Sequence, residues 1–254
     1  MAGVLITGGS GLVGRHVVAA WPVGLDRTTV SSSTHDLLSP GAFGRLVRER
    51  RPEVVVHLAW SASSTPGYRT SAANDAWRTA SLDAARACLD LGVRFVGTGT
   101  VVDARPGADP YTDAKAGLRG DLAAEIAAGD ITWLRPHHVF DPAEPSPAVL
   151  RAAAAAQAAG RPVDLATPHA MHDFVHAADV GRAVVATVVH GLAGVVDIGS
   201  GRLRAVSTLV EAGGSTWTTS APPVDVHGGT RADTAPLRAT GWLPSETEGY
   251  FAHD

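Results

Sequence analysis

A short apolar run, Val4–Ile6, stops at Thr7-Gly8-Gly9-Ser10-Gly11-Leu12-Val13-Gly14, and a helical pattern follows from Leu12 to about Ala20. This is the feature that most narrows what the chain can become. The glycines stand at a G-x-x-G-x-x-G spacing between a strand and a helix, and that context gives the pattern meaning. Glycine reaches backbone angles closed to other residues. Without Cβ atoms the turn lets phosphate groups approach the amides at a helix start, where negative charge is favoured. Gly8, Ser10, Gly11, Leu12 and Val13 are therefore candidates to bind a dinucleotide. A glycine turn that only packs tightly is the competing reading.

The remaining chain repeats the strand–helix alternation. Arg27–Val30 reads as a strand, Ala42–Arg50 as a helix stopped near Pro52, and Val54–Leu58 as a strand buried on both faces. Ala72–Leu91 reads as a long helix, Arg94–Val96 as a strand, Tyr111–Ala128 as a helix and Ile131–Leu134 as a strand. This predicts an α/β fold with a Rossmann-type doubly wound parallel sheet. Beyond Leu134 the pattern loosens. Asp141–Pro147 reads as a crossing, Ala148–Ala159 as a helix, Val195–Ile198 as a late strand, and Gly213–Pro223 and Gly228-Gly229 as loops. The expected division is a dinucleotide-binding domain at 1–140 with a return segment at 171–200. Residues 141–170 and 201–254 then form a small C-terminal substrate lobe.

Composition removes several function classes. The net charge of −4 comes without a basic stripe, which argues against nucleic acid as a partner. The 11 histidines are scattered without metal-ligand spacing, so no metal is expected. Cys88 is the single cysteine and reads as a small buried residue; no disulfide can form within the chain. Met1–Ile6 lacks the basic start of a signal peptide. No run approaches the roughly 18 apolar residues that span a bilayer. The expectation is a cytoplasmic protein without a membrane partner.

Two further places carry chemistry. The end of the second strand falls near Ser31, in Val30-Ser31-Ser32-Ser33, and holds no carboxylate for a ribose 2′-hydroxyl. Serine hydroxyls suit a 2′-phosphate, so NADP(H) is favoured over NAD(H). Asp26 would serve only if the preceding helix were unusually short. Tyr111-Thr112-Asp113-Ala114-Lys115 sets a phenol and an ammonium at i and i+4, on one helix face. The ammonium is expected to lower the phenol pKa. Such a tyrosine exchanges a proton with a carbonyl oxygen while hydride moves to or from a nicotinamide. Thr98 follows the strand Phe95–Val96 at its carboxyl end and is expected to hold the reacting oxygen; Thr100 competes for that role.

With these motifs in order, the chain resembles an extended short-chain dehydrogenase/reductase of the nucleotide-sugar epimerase, dehydratase and reductase group. The resemblance rests on the glycine turn, Asp36-Leu37, His57-Leu58-Ala59, Asn74 with Thr79, Thr98-Gly99-Thr100-Val101-Val102, and Tyr111-x-x-x-Lys115. It continues through Leu134-Arg135-Pro136, Asp173-Phe174-Val175-His176 with Asp179-Val180, Asp197-Ile198-Gly199-Ser200-Gly201, and Ala232-Asp233-Thr234 with Gly241-Trp242-Leu243-Pro244. It implies that Asp36 contacts the adenine amide nitrogen and Leu37 flanks the ring. Leu58 and Ala59 would lie on the cofactor, Ala59 along its nicotinamide half. Lys115 would also bond the nicotinamide ribose. Arg231 is a candidate for substrate phosphates. Asp173 and Asp179 read first as capping and packing residues.

The chain also departs from the group. Gly99-Thr100 replaces the acid pair that follows the threonine in many sugar dehydratases, which argues against 4,6-dehydration. His172 stands where an arginine is usual, and both the loop before Tyr111 and the C-terminal lobe are short. The resemblance implies a ketoreductase that uses NADPH on the 4-keto group of a nucleotide-activated deoxysugar, with Thr98, Tyr111 and Lys115 catalytic. Three alternatives stand beside it: a nucleotide-sugar epimerase with tightly bound NAD, a ketoreductase for a polyketide-like carbonyl, and a non-catalytic dinucleotide sensor. By the same resemblance, the helices at 72–91 and 111–128 would pair in a homodimer.

Overall fold

The computed structural model describes residues 3–252 except 33, 62–66, 105–106, 145 and 221–228. Ser33 of the serine run, residue 145 of the proline-rich crossing, and the parts of the expected 213–223 and 228–229 loops within 221–228 lie outside the described residues. The chain divides into two compact units, Met1–Arg135 with Gly181–Val196 and Pro136–Val180 with Asp197–Asp254. Residues 136–140, 171–180 and 197–200, expected with the dinucleotide-binding part, thus fall in the second unit.

The first unit is built on one sheet. Its strands are β1 (Val4–Thr7), β2 (Arg27–Val30), β3 (Val54–His57), β4 (Arg94–Thr98), β5 (Ile131–Pro136) and β6 (Gly194–Ile198), whose last residues run on into the second unit. Across the sheet the order is β2-β1-β3-β4-β5-β6, with parallel pairing from β2 to β5. The chain moves outward from β1 to β2 and returns past β1 to β3. The carboxyl ends of β1 and β3 are therefore a switch point, the place where open parallel sheets bind ligands.

Every residue of β1 and β3 is buried, as a sheet covered on both faces requires. On one face Leu5, Val55, Phe95 and Trp133 pack against α2 (Ala42–Arg50), α3 (Ala73–Leu91) and α4 (Pro110–Asp121), through Phe43, Leu46, Cys88 and Leu118. By alternation Ile6, Val56 and Val96, equally buried, point the other way. Burying a large side chain contributes about 1.5–3 kcal/mol, and this double-sided core is the main hold on the sheet. α1 (Gly14–Ala20) meets the helix Ala177–Val189 at a glycine: a Cβ on Gly181 would lie 2.6 Å from the His16 carbonyl carbon.

Helix boundaries follow local chemistry. Asp109 caps α4 by accepting the Thr112 amide at 2.9 Å, and Pro110 takes the first helical position. α3 ends at Gly92, whose φ of 65° gives the left-handed stop. The single helix expected over 111–128 is broken: α4 ends at Asp121, and α5 (Ala123–Ala128) begins after a non-helical, buried Leu122. Gly117 and Gly120 weaken the helix just before the break. The helix Ala177–Val189 has no clear signal in the sequence. Its valines favour strands intrinsically, and burial overrides that preference.

The second unit contains short two-stranded pairings. His138–Phe140 runs parallel to Phe174–His176, Met171–His172 antiparallel to Arg204–Ala205, and Val163–Asp164 parallel to Trp217–Thr218. Helices Ala148–Ala158 and Val206–Ala212 close two small cores around Phe140, Phe174 and Leu209, and around Ala153, Val163 and Val210. Among the described residues, no helix is long and apolar enough to cross a membrane.

Candidate active site

β1 delivers the glycine turn to the switch point. Gly8 has φ 73° and its amide neighbourhood is so close to the next crossing that a Cβ would lie 2.6 Å from the Ala59 nitrogen. The Gly11 amide closes the turn on the Gly8 carbonyl at 3.0 Å. A Cβ on Gly14 would collide with that same carbonyl. Gly8 and Gly14 are thus demanded by the turn itself, while Ser10 and Gly11 are exposed and Leu12 and Val13 half-buried at its rim. An exposed backbone turn at the carboxyl end of β1 fits a dinucleotide pyrophosphate.

A buried histidine fixes this turn to its neighbours. The His57 ring, 3% exposed, bonds Thr7 Oγ1 at 2.8 Å through Nδ1 and Ser81 Oγ at 2.7 Å through Nε2. Ser81 donates to the Trp77 carbonyl at 2.7 Å, so it accepts from Nε2–H, and Thr7 then donates to Nδ1. The network needs a neutral ring. Burial, with help from the Lys115 charge, pushes the His57 pKa down to about 3. His57 therefore ties β1, β3 and α3 together and takes no part as an acid at neutral pH.

Ser31 stands one residue past β2, as the strand count expected, while Asp26 lies at the other end of that strand. Asp36 is exposed, and its carboxylate accepts the Leu38 amide at 3.1 Å and the Ser39 hydroxyl at 2.8 Å. Leu37 turns inward and joins the core. Leu58 and Ala59 are half-buried just beyond β3.

α4 carries Tyr111 and Lys115, the candidate pair. Tyr111 is 9% exposed, with Tyr68 and Trp60 edge-on to it at centroid distances of 5.1 and 6.3 Å. Burial raises its pKa above the usual phenol value, and Tyr68 and Asp103 add to the rise; Arg69 and a hydrogen bond with Thr100 oppose it. The expectation that Lys115 lowers the phenol is thus not met, because desolvation of the phenolate dominates. Lys115 Nζ donates to the Thr98 carbonyl at 2.7 Å and lies 3.6 Å from the centre of the Trp60 ring. Burial pulls the Lys115 pKa down to about 7, and Asp103 counters this.

The two threonines separate clearly. The Thr98 hydroxyl donates to the His57 carbonyl at 2.9 Å and serves the backbone between β3 and β4. The Thr100 hydroxyl is close enough to Tyr111 to oppose the rise in its pKa.

Trp60, Tyr68, His57 and Asp103 were not singled out as site residues from the sequence. One signal there was strong and available: Lys115 is the only lysine, and all other members of the 21 Lys and Arg residues are arginine. A chain that otherwise uses arginine for its cations keeps a compact ammonium where a shiftable pKa is needed.

In the second unit, Arg231 is exposed and lines a cavity of about 410 Å³ with Arg202 and Arg238, beside Ser200, Gly201 and Thr234. Asp173 and Asp179 are structural, as expected. Asp173 accepts from the Ser200 amide and hydroxyl and from the Gly201 and Ala232 amides at 2.6–3.0 Å. Asp179 accepts from the Glu246 and Thr247 amides and the Thr247 hydroxyl.

The sequence profile of the family described as the NAD dependent epimerase/dehydratase family matches residues 4–199. Solved structures share the fold at low identity. A UDP-glucose 4-epimerase from Thermus thermophilus, in complex with NAD, is 22% identical with a TM-score of 0.71, over 95% of this chain and 94% of that one. A dTDP-4-dehydrorhamnose reductase from Clostridium acetobutylicum is 12% identical with a TM-score of 0.74, over 98% of both chains. A UDP-glucose 4-epimerase from Thermotoga maritima, with UDP-glucose, is 20% identical with a TM-score of 0.69, over 98% and 96%. No curated protein sequence matches the chain.

Proposed function

The chain belongs to the NAD dependent epimerase/dehydratase family, and from that premise we propose that it is an NADPH-dependent ketoreductase for the 4-keto group of a nucleotide-activated deoxysugar. The observation that carries this reading is the buried Tyr111 phenol, one helical turn before the buried Lys115 on α4 and kept protonated by its desolvation. A protonated phenol at neutral pH is an acid, and reduction of a carbonyl needs an acid at its oxygen.

A reduced nicotinamide supplies the hydride. The turn at Gly8, Ser10, Gly11, Leu12 and Val13 would hold its pyrophosphate, Ser31 a 2′-phosphate, and Ala59 with Lys115 its nicotinamide half. Thr100 orients the carbonyl oxygen against Tyr111, which gives that oxygen its proton as the carbonyl carbon becomes CH–OH. Lys115 then stabilises the phenolate left behind. The absence of a carboxylate just beyond β2 supports NADP(H). Arg231, Arg202 and Arg238 around their cavity suit substrate phosphates.

The test is cofactor consumption with a thymidine diphosphate 4-keto-6-deoxyhexose. NADPH should be oxidised stoichiometrically, with kcat/KM at least about 10-fold above NADH, the size of one lost charged hydrogen bond. Protein that purifies with nicotinamide bound and turns over without consuming added NADPH is an epimerase instead. Turnover of a simple ketone, with no calorimetric binding of thymidine or uridine diphosphate, assigns the chain to non-sugar carbonyls.

A further inference from the structure

Asp103 lies in the short helical turn Val101–Ala104 between β4 and α4. It is 3% exposed, in a place where a carboxylate is costly. Its Oδ2 accepts the Trp133 indole N–H at 3.0 Å and the Thr100 amide at 3.3 Å. Its Oδ1 is buried with no hydrogen-bond partner, and the nearest cation, Arg119 Nη1, stands 3.7 Å away. Arg119 is one helical turn beyond Lys115 on α4, so the carboxylate faces the side of α4 that carries both cations. The segment meets that face twice, through the Thr98 carbonyl, which takes Lys115 Nζ, and through Asp103 opposite Arg119, while the Asp103 bond to the Thr100 amide closes the turn internally. Gly99 between them has to be glycine, because a Cβ would collide with the Asp103 carboxylate and the Trp133 indole.

A carboxylate kept only for packing would have both oxygens satisfied. One whose second oxygen meets only the Arg119 cation, beside the α4 face that carries Lys115, is kept for its charge. We propose that Asp103 is a positioning residue of this site: its fixed negative charge keeps Lys115 an ammonium, and its bond to the Thr100 amide sets the Thr100 hydroxyl against Tyr111. The groups facing Lys115 are Asp103, His57, the Trp60 ring and the Thr98 carbonyl; those facing Tyr111 are Tyr68, Arg69, Asp103, Thr100 and Trp60. Asp103 is the only carboxylate among them. Burial pulls the Lys115 pKa down and the Asp103 charge opposes it, leaving it at about 7 with the carboxylate in place.

The inference rests on Tyr111 and Lys115 being the reacting pair, but its test does not need turnover. Lys115 is the sole lysine, so isotope-labelled lysine gives one Cε signal whose titration reports this ammonium alone. In Asp103→Asn, isosteric and still able to accept from Trp133 and Thr100, the midpoint should fall by about one unit, the effect of removing a nearby opposite charge. An unchanged or raised midpoint in the folded variant overturns the proposal. If the variant does not fold, the unaltered protein decides. The Trp133 indole N–H signal should titrate with the Lys115 midpoint, since it rests on Asp103; a flat signal across that midpoint overturns it equally. With substrate, Asp103→Asn should lower kcat about 10-fold, move the alkaline limb of the kcat/KM profile to lower pH, and change NADPH affinity less than about twofold. Loss confined to cofactor affinity, with the pH profile in place, also overturns it. If no substrate is turned over at all, the ketoreductase reading fails while the titration still judges Asp103.

Discussion

Two buried aspartates, one in each unit, show how differently a fold uses the same side chain. Asp173 is fully buried and both its oxygens are satisfied: four donors, three of them backbone amides, converge on it. Asp103 is nearly as buried, yet one oxygen has no hydrogen bond and its charge acts on Lys115 and Tyr111. The first is a staple: it satisfies three amides from two segments, Ser200-Gly201 and Ala232, that secondary structure leaves unpaired. The second keeps an oxygen that meets only the Arg119 cation, beside the candidate pair Tyr111 and Lys115.

The comparison breaks most visibly at the reacting pair. Tyr111→Phe should fold, bind cofactor and lose about 10²–10⁴ in turnover, at a stability cost of about 1 kcal/mol for one buried hydroxyl. Steady-state kinetics and urea denaturation measure both sides; turnover within twofold of the unaltered protein would remove Tyr111 from the mechanism. The next effect falls on the staple. Asp173→Ala should cost about 3 kcal/mol or more in urea denaturation, because several amides lose their acceptor together. A cost below about 1 kcal/mol would mean water replaces the carboxylate at no penalty, and the contrast with Asp103 would be lost.

A further effect is graded with pH. His57 and Lys115 are bases held below their ordinary values, at about 3 and about 7, so the unfolded chain binds more protons than the folded one. Stability contributed by His57 therefore declines as pH falls from about 6.5 toward 3, and that of Lys115 rises from about 7 to 10.5. Each slope approaches about 1.4 kcal/mol per pH unit. Denaturant midpoints measured across pH should flatten in the acid arm for His57→Gln; an unchanged arm would mean that His57 is not the group titrating there.

Much of this was open to reading before any coordinates. The glycine turn, all six sheet strands and the Tyr111–Lys115 spacing follow from local rules: Gly backbone freedom, runs of Val and Ile, and a helical repeat. The exceptions are instructive. The break at Leu122 needed knowledge of which residues the core would claim. The helix Ala177–Val189 contradicts its own valine content because burial outweighs propensity. Thr98 is the first candidate in sequence, and only the pairing of β4 with β3 shows that its hydroxyl serves the His57 carbonyl.

The sequence by itself determined a dinucleotide-type α/β chain with a phenol and its lone lysine one turn apart, because those features depend on neighbours within a few residues. Tertiary structure alone decided the charge states around them. Desolvation that raises Tyr111, the indole laid over Lys115 and the carboxylate reaching past Gly99 all join segments distant along the chain. A pKa belongs to an environment, and the environment exists only once the sheet has brought those segments together.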